Sequence, residues 1–225
     1  WALYTNNGKP QSLSDWFYIM NISKDSPWFQ HIINEFRKTV EQLDFDGIHM
    51  DTYGFPKTAY SNLKGKRRLE KLNQQFPDLI KAVRSELCKS KKETGIVFNA
   101  VSNWGIEYLA KSEQDAIYIE VWDPEDRYIN LYQIIKRARE LGKKQVILAA
   151  YYEFFKSSKG YTPEQCKAGF LIATAAIFAS GGFQILLGEN NGMLSDPYYV
   201  NYEKIEKDFE HEVRNYYDFV VRYGS

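Results

Sequence analysis

Strand-like and helix-like runs alternate along the whole chain, and this alternation limits the possible folds more than any other feature. The strand-like runs are residues 16–21, 45–51, 95–99, 116–121, 145–150 and 183–187. Pro27 opens a helix that carries Phe29, Ile32, Ile33, Phe36, Val40 and Leu43 on one face. Pro77 opens another, with Leu79, Ile80, Val83 and Leu87. A short helix is expected over residues 104–111, and a longer one from about Leu131 to a stop at Gly142. Thr162-Pro163-Glu164-Gln165 reads as an N-cap, a first-turn proline and an acidic first turn, opening a helix to about Ala179. A last helix is expected over residues 202–222. Such alternation predicts a parallel α/β sheet. A closed (β/α)8 barrel has eight strand–helix units, and six are present. The expectation is therefore a TIM-type barrel in part, with residues 1–225 as one partial catalytic domain supplying about strands 3 to 8. An open doubly wound sheet is the alternative, but no Gly-rich phosphate loop follows any strand to give it a nucleotide site. Residues 5–14, 52–66, 152–161 and 188–201 read as loops.

Composition removes several function classes. Twenty-nine basic residues balance twenty-nine acidic ones, so nothing favours nucleic acid or an anionic membrane as partner. No apolar run is long enough to cross a bilayer. Cys88 and Cys166 have no metal-ligand spacing and read as inert core or surface thiols. No zinc or calcium site is evident, so no metal and no cofactor is expected. The chain starts at Trp1 in mid-pattern and reads as a piece of something longer.

Two strand ends carry acids. Asp51 closes residues 45–51 and Glu120 lies near the end of residues 116–121. In barrels of this type the C-terminal strand ends carry the chemistry, and two carboxylates suffice to cleave a glycosidic bond. Strand alternation puts His49 on the Asp51 face, one layer deeper, and Tyr118 below Glu120 with Trp122 at the rim. Asn99 ends the strand between them and could hydrogen-bond a hydroxyl or a carboxylate. Tyr151, Glu189 and Asn190 follow the next two strands and suit hydroxyl recognition. Each residue also has a plain reading. Asp51 could cap a helix or turn, His49 could be a satisfied core histidine, Trp122 could be core, and residues 188–192 could be a turn. Glu120 is harder to explain away, because glutamate is disfavoured in strands and costly to bury unpaired. A metal-dependent enolase-type barrel would need ligands on three successive strands, yet Asn99 ends the intervening one. A non-catalytic sugar-binding protein stays open.

The stretch Phe45-Asp46-Gly47-Ile48-His49-Met50-Asp51-Thr52 together with Tyr118-Ile119-Glu120-Val121-Trp122 resembles glycoside hydrolase family 66, the family of endo-dextranases and cycloisomaltooligosaccharide glucanotransferases. The resemblance implies a retaining enzyme acting on α-1,6-linked glucan, with Asp51 as nucleophile and Glu120 as acid/base. By their places at the strand ends, His49, Asn99, Trp122, Tyr151, Glu189 and Asn190 are the candidate substrate contacts. The resemblance also implies a polysaccharide or oligosaccharide partner, an extracellular, cell-surface or periplasmic location, and flanking β-domains and first barrel strands outside this chain. Residues 183–187 (FQILL) depart from the pattern by lacking charged or histidine residues. Cyclising relatives carry a long module after the seventh strand, whereas here residues 151–161 leave about eleven positions. Hydrolysis is therefore expected ahead of cyclisation.

Overall fold

A computed structural model describes residues 1–90, 93–185, 192–195 and 203–223. The chain divides into two units: Trp1–Ile117 with Glu140–Lys144, and Tyr118–Arg139 with Gln145–Ser225.

The first unit opens with two short antiparallel strands, β1 (Ser12–Leu13) and β2 (Phe17–Tyr18). The expectation of a parallel strand at residues 16–21 is therefore corrected. Ser14 takes a left-handed turn at φ 56° and reverses the chain. The backbone of the run bonds to Gln11 and to Trp1–Leu3, with Trp16, Phe17 and Tyr18 left exposed. Helix α1 (Pro27–Leu43) follows as expected. Ser26 caps it by accepting from the Trp28 amide, Pro27 needs no amide partner in the first turn, and Phe29, Ile33 and Val40 are buried. Leu43 instead is exposed, because the helix ends there in a left-handed residue, Asp44.

Strand β3 (Gly47–Met50) pairs in parallel with a strand nearly fifty residues on, which will be β6. Residues 52–66 are not simply a loop. They contain β4 (Thr58–Ser61), which forms an antiparallel hairpin with β5 (Arg68–Lys71). In β5 the alternation is inverted: Leu69 is exposed and Glu70 is buried, 2% accessible. Glu70 accepts from Ser61, Arg68 and Gln75, which is how a buried acid is tolerated here. Helix α2 (Leu72–Ser90) begins five residues before Pro77. Its start is set by burial of Leu72 and by the Leu72 amide donating to Lys57 O. It packs on α1. Strand β6 (Gly95–Asn99) follows, in register Gly47↔Gly95 to Met50↔Phe98. The helix expected at 104–111 is one turn, α3 (Ile106–Leu109), entered through left-handed Gly105.

Strand β7 (Ala116–Val121) starts in the first unit and continues in the second, with Ile117, Tyr118 and Ile119 buried in succession. Consecutive burial is the mark of a strand covered on both faces. Helix α4 (Tyr128–Gly142) begins one turn earlier than its apolar periodicity indicates, and β8 (Val146–Ala150) follows. Helix α5 (Pro163–Ala179) has the expected capping box: the Gln165 amide donates to Thr162 Oγ1, and the Thr162 amide donates to Gln165 Oε1 at 2.9 Å. Strand β9 (Phe183–Gln184) pairs in parallel with β8. Among the described residues, parallel pairs join β3 with β6 in the first unit and β8 with β9 in the second, and residues 16–21 take no part in a parallel pair. Strand β10 (Gly192–Met193) pairs antiparallel with β11 (Glu203–Lys204), so the last helix, α6 (Lys207–Tyr223), starts later than residue 202. The second unit's core gathers Tyr152, Phe170, Met193, Ile205, Phe209 and Val213. Among the described residues, no helix is long and apolar enough to cross a membrane.

Candidate active site

In the first unit the candidate residues gather at the ends of β3 and β6. Alternation along β3 buries Met50 and leaves His49 and Asp51 exposed on the other face. Asp51 Oδ1 accepts two hydrogen bonds, each 2.8 Å, from the Thr52 amide and from Asn99 Nδ2. Asn99 is 2% accessible and ends β6. Thr52 Oγ1 donates back to the Asn99 carbonyl at 3.1 Å. The register Met50↔Phe98 is what puts these two strand ends side by side. The carboxylate is thus held by donors on one oxygen while remaining open to solvent. His49 and Asp51 line a cavity of about 280 Å³ with Tyr53 and Phe55. Burial, then the Asp51 charge, holds the Tyr53 hydroxyl above the usual tyrosine range, so it stays protonated.

In the second unit Glu120 is half-buried near the end of β7, above buried Tyr118. The Tyr151 hydroxyl donates to Glu120 Oε1. Tyr151 follows β8 directly, and its ring meets that of Trp122 edge-on, centroids 5.8 Å apart at 64°. Trp122 is 41% exposed, which leaves it able to touch a ligand. The three side chains form one cluster of a carboxyl, a phenol and an indole.

Each unit therefore assembles a carboxylate with the sequence-predicted residues of its own strands: Asp51 with Asn99 and His49, and Glu120 with Tyr151 and Trp122. Glu189 and Asn190 lie outside the described residues. Sequence reasoning did not single out the Thr52 amide and hydroxyl, or Tyr53. The signal was available, since a small hydroxyl residue directly after a strand-end acid commonly closes such a turn. Among the described residues, no group of three or more His, Cys, Asp or Glu side chains is arranged to hold a metal ion. Both cysteines are unbridged; Cys166 is buried and donates to the Phe154 carbonyl, and Cys88 is exposed.

Parallel strands alternating with helices, each unit holding a strand-end carboxylate fixed by a hydrogen-bond donor, define a class: α/β proteins with acids at the ends of their strands. Comparison with known proteins narrows the class. The model of glycosyl hydrolase family 66 matches residues 1–225. Two cycloisomaltooligosaccharide glucanotransferases of Niallia circulans are similar: one is 25% identical over 68% of this chain and 17% of its own length, the other 28% identical over 61% and 15%. A dextranase of Streptococcus salivarius is 22% identical over 88% of this chain and 28% of its own. A crystal structure of a Paenibacillus sp. cycloisomaltooligosaccharide glucanotransferase, complexed with cycloisomaltoheptaose, superposes with a TM-score of 0.60 at 22% identity. That match covers 68% of this chain and 23% of that one, and shows a shared fold. The chain belongs to glycosyl hydrolase family 66. It spans less than a third of the length of these curated relatives.

Proposed function

We propose that this chain is the core of a retaining, endo-acting dextranase, within a barrel completed by strands outside it. Asp51 attacks the anomeric carbon of an α-1,6-linked glucosyl unit and forms a glycosyl-enzyme ester; Glu120 protonates the leaving oxygen and then deprotonates the incoming water. The observation that carries this reading is the hydrogen bonding of Asp51. The two donors both go to Oδ1, which orients the carboxylate so that Oδ2 is the attacking oxygen, and Asp51 is exposed enough to meet a sugar. Tyr151 donates to Glu120 Oε1, so the proton that Glu120 delivers is carried on Oε2. Asn99 positions the nucleophile, and Trp122 and His49 contact the substrate. The polymeric substrate fits an exported enzyme, which fractionation of the producing cells would test.

Hydrolysis is favoured over cyclisation by the connection after β8. Residues 151–162 hold only two single 3-10 turns, Glu153–Phe155 and Ser157–Lys159, before α5 begins. No module fits there to retain a long glucan for attack by its own end, so water is the main acceptor.

The test uses the full-length protein on dextran. Asp51→Asn abolishes turnover while leaving thermal unfolding unchanged; wild-type-like activity would refute the nucleophile. Glu120→Gln slows unactivated glucans far more than substrates with good leaving groups, because only the former need protonation. A crystal structure should place the two carboxyl groups about 5–5.5 Å apart, the retaining separation, not the 6.5–9.5 Å of inverting enzymes. Mass spectrometry should find linear isomaltooligosaccharides early; dominant products lighter by one water would establish cyclisation instead.

A further inference from the structure

Three aromatic rings stand exposed in a row that begins at the cavity of Asp51. Tyr53 and Phe55 have centroids 6.1 Å apart, tilted by 37°. Phe17, brought in by the β1–β2 turn, lies 6.4 Å from Tyr53 at 55°. All three remain accessible: Phe17 58%, Phe55 40% and Tyr53 36%. The cavity that contains His49 and Asp51 is lined by Tyr53 and Phe55 as well, so these two rings and the carboxylate border one space, and Phe17 extends the surface from Tyr53.

The segment that presents the rings is built to hold them. Thr52 Oγ1 is tied to Asn99 O and accepts from the Gly54 amide at 3.4 Å. Gly54 adopts φ +69°, where a side chain would be strained, and a Cβ there would press on Val101 at 3.0 Å. The backbone is thus fixed on either side of Tyr53, which lowers the ordering cost of binding.

We propose that Tyr53, Phe55 and Phe17 form a stacking platform that seats a glucosyl ring of the substrate beside Asp51. The inference rests on Asp51 being the nucleophile. The chemistry of the surface selects the occupant. An anion would be repelled by Asp51, and a purely apolar ligand would strip water from that carboxylate without replacing its hydrogen bonds. A glucopyranose ring has apolar C–H faces for the aromatic rings and a hydroxyl rim for Asp51 and His49, so it satisfies both parts of the surface. Tyr53 contributes its ring face; its hydroxyl is dispensable.

The experiment is calorimetric titration of linear isomaltooligosaccharides into the full-length protein carrying Asp51→Asn, which prevents turnover. Adding Tyr53→Ala, Phe55→Ala or Phe17→Ala should weaken binding by about tenfold for Tyr53 and by a few-fold for each of the other two, the scale of a lost aromatic contact. Adding Tyr53→Phe should leave affinity within twofold. Circular dichroism confirms that each variant is folded. Alanine variants that bind within twofold of the parent would overturn the platform, and so would a Tyr53→Phe variant as weak as Tyr53→Ala. Failure of the nucleophile assignment reads out separately, as turnover of dextran by Asp51→Asn itself.

Discussion

Gly47 and Gly95 face each other at the start of the β3–β6 pair, and they should respond to the same substitution in opposite ways. A Cβ built on Gly47 falls 2.4 Å from the Gly95 carbonyl oxygen and 2.9 Å from its carbon. Both are backbone atoms, so no rotamer change relieves the clash. Ordinary contact begins near 3.4 Å, and β3 must move away from β6 by about 1 Å. The neighbouring bond from the Gly95 amide to Asp46 O, 2.8 Å, is stretched out of range by such a shift. One or two ladder bonds lost at about 1 kcal/mol each, with strain of similar size, give about 2–4 kcal/mol for Gly47→Ala. For a domain of this size that lowers Tm by roughly 5–15 °C. A Cβ on Gly95 meets only Asp46 O at 3.7 Å and Asp115 Oδ2 at 3.8 Å. Gly95→Ala should therefore stay within about 1 kcal/mol of the parent, and could gain from a stiffer unfolded chain. Differential scanning fluorimetry of the two variants decides the matter. Equal unfolding temperatures would refute the argument, because the same residue change is made on the same strand pair and only the close approach differs.

Tyr151→Phe removes the hydroxyl that donates to Glu120; on the proposed mechanism kcat on dextran should fall by up to about tenfold, the scale of one lost hydrogen bond, while the unfolding temperature holds. In β5, burial works to raise the Glu70 carboxyl, but hydrogen bonds from Ser61, Gln75 and Arg68 together outweigh it and hold the group below the usual glutamate range. A lowered folded-state value contributes stability that is complete above the unfolded value, about 4.3, and is lost as the pH falls through the folded one. Chemical denaturation between pH 6 and pH 3 should show this loss, and Glu70→Gln should flatten that part of the profile.

Much of the architecture is legible in the sequence because its signals are local. Pro27 and Thr162 mark their helices by cap chemistry that needs no distant partner. The strands at Gly95–Asn99 and Ala116–Val121 stand out as apolar runs. The misreadings have a common cause in pairings with neighbouring segments, which the pattern of one run does not reveal. The β4–β5 hairpin hides because its buried position is an acid, Glu70, and its exposed one a leucine, Leu69. Only the groups around Glu70 make that order stable. Residues 16–21 look like a core strand, yet their backbone bonds go to Trp1–Leu3 and Gln11, which no period-two pattern can specify. At the candidate site both acids are visible as strand-end carboxylates. The donors that hold them, Asn99 for Asp51 and Tyr151 for Glu120, come from strands 48 and 31 residues away, and only the Asn99 partnership could be anticipated as an option.

The pair of donors on Asp51 outlasts the residue they serve. Asn99 Nδ2 and the Thr52 amide would keep their places in Asp51→Gly, since Asn99 is buried at a strand end and its carbonyl is held by Thr52 Oγ1. With the carboxylate gone, two N–H groups would converge on a vacated space the size of a small anion. On the proposed mechanism, azide or formate supplied from solution would occupy it, take the donors' hydrogen bonds and attack the sugar in place of the missing side chain. The product with azide would be a glycosyl azide of inverted configuration, stable enough to isolate. The mutant's rate would then rise with the amount of azide added, and its nucleophile would become a reagent of chosen concentration.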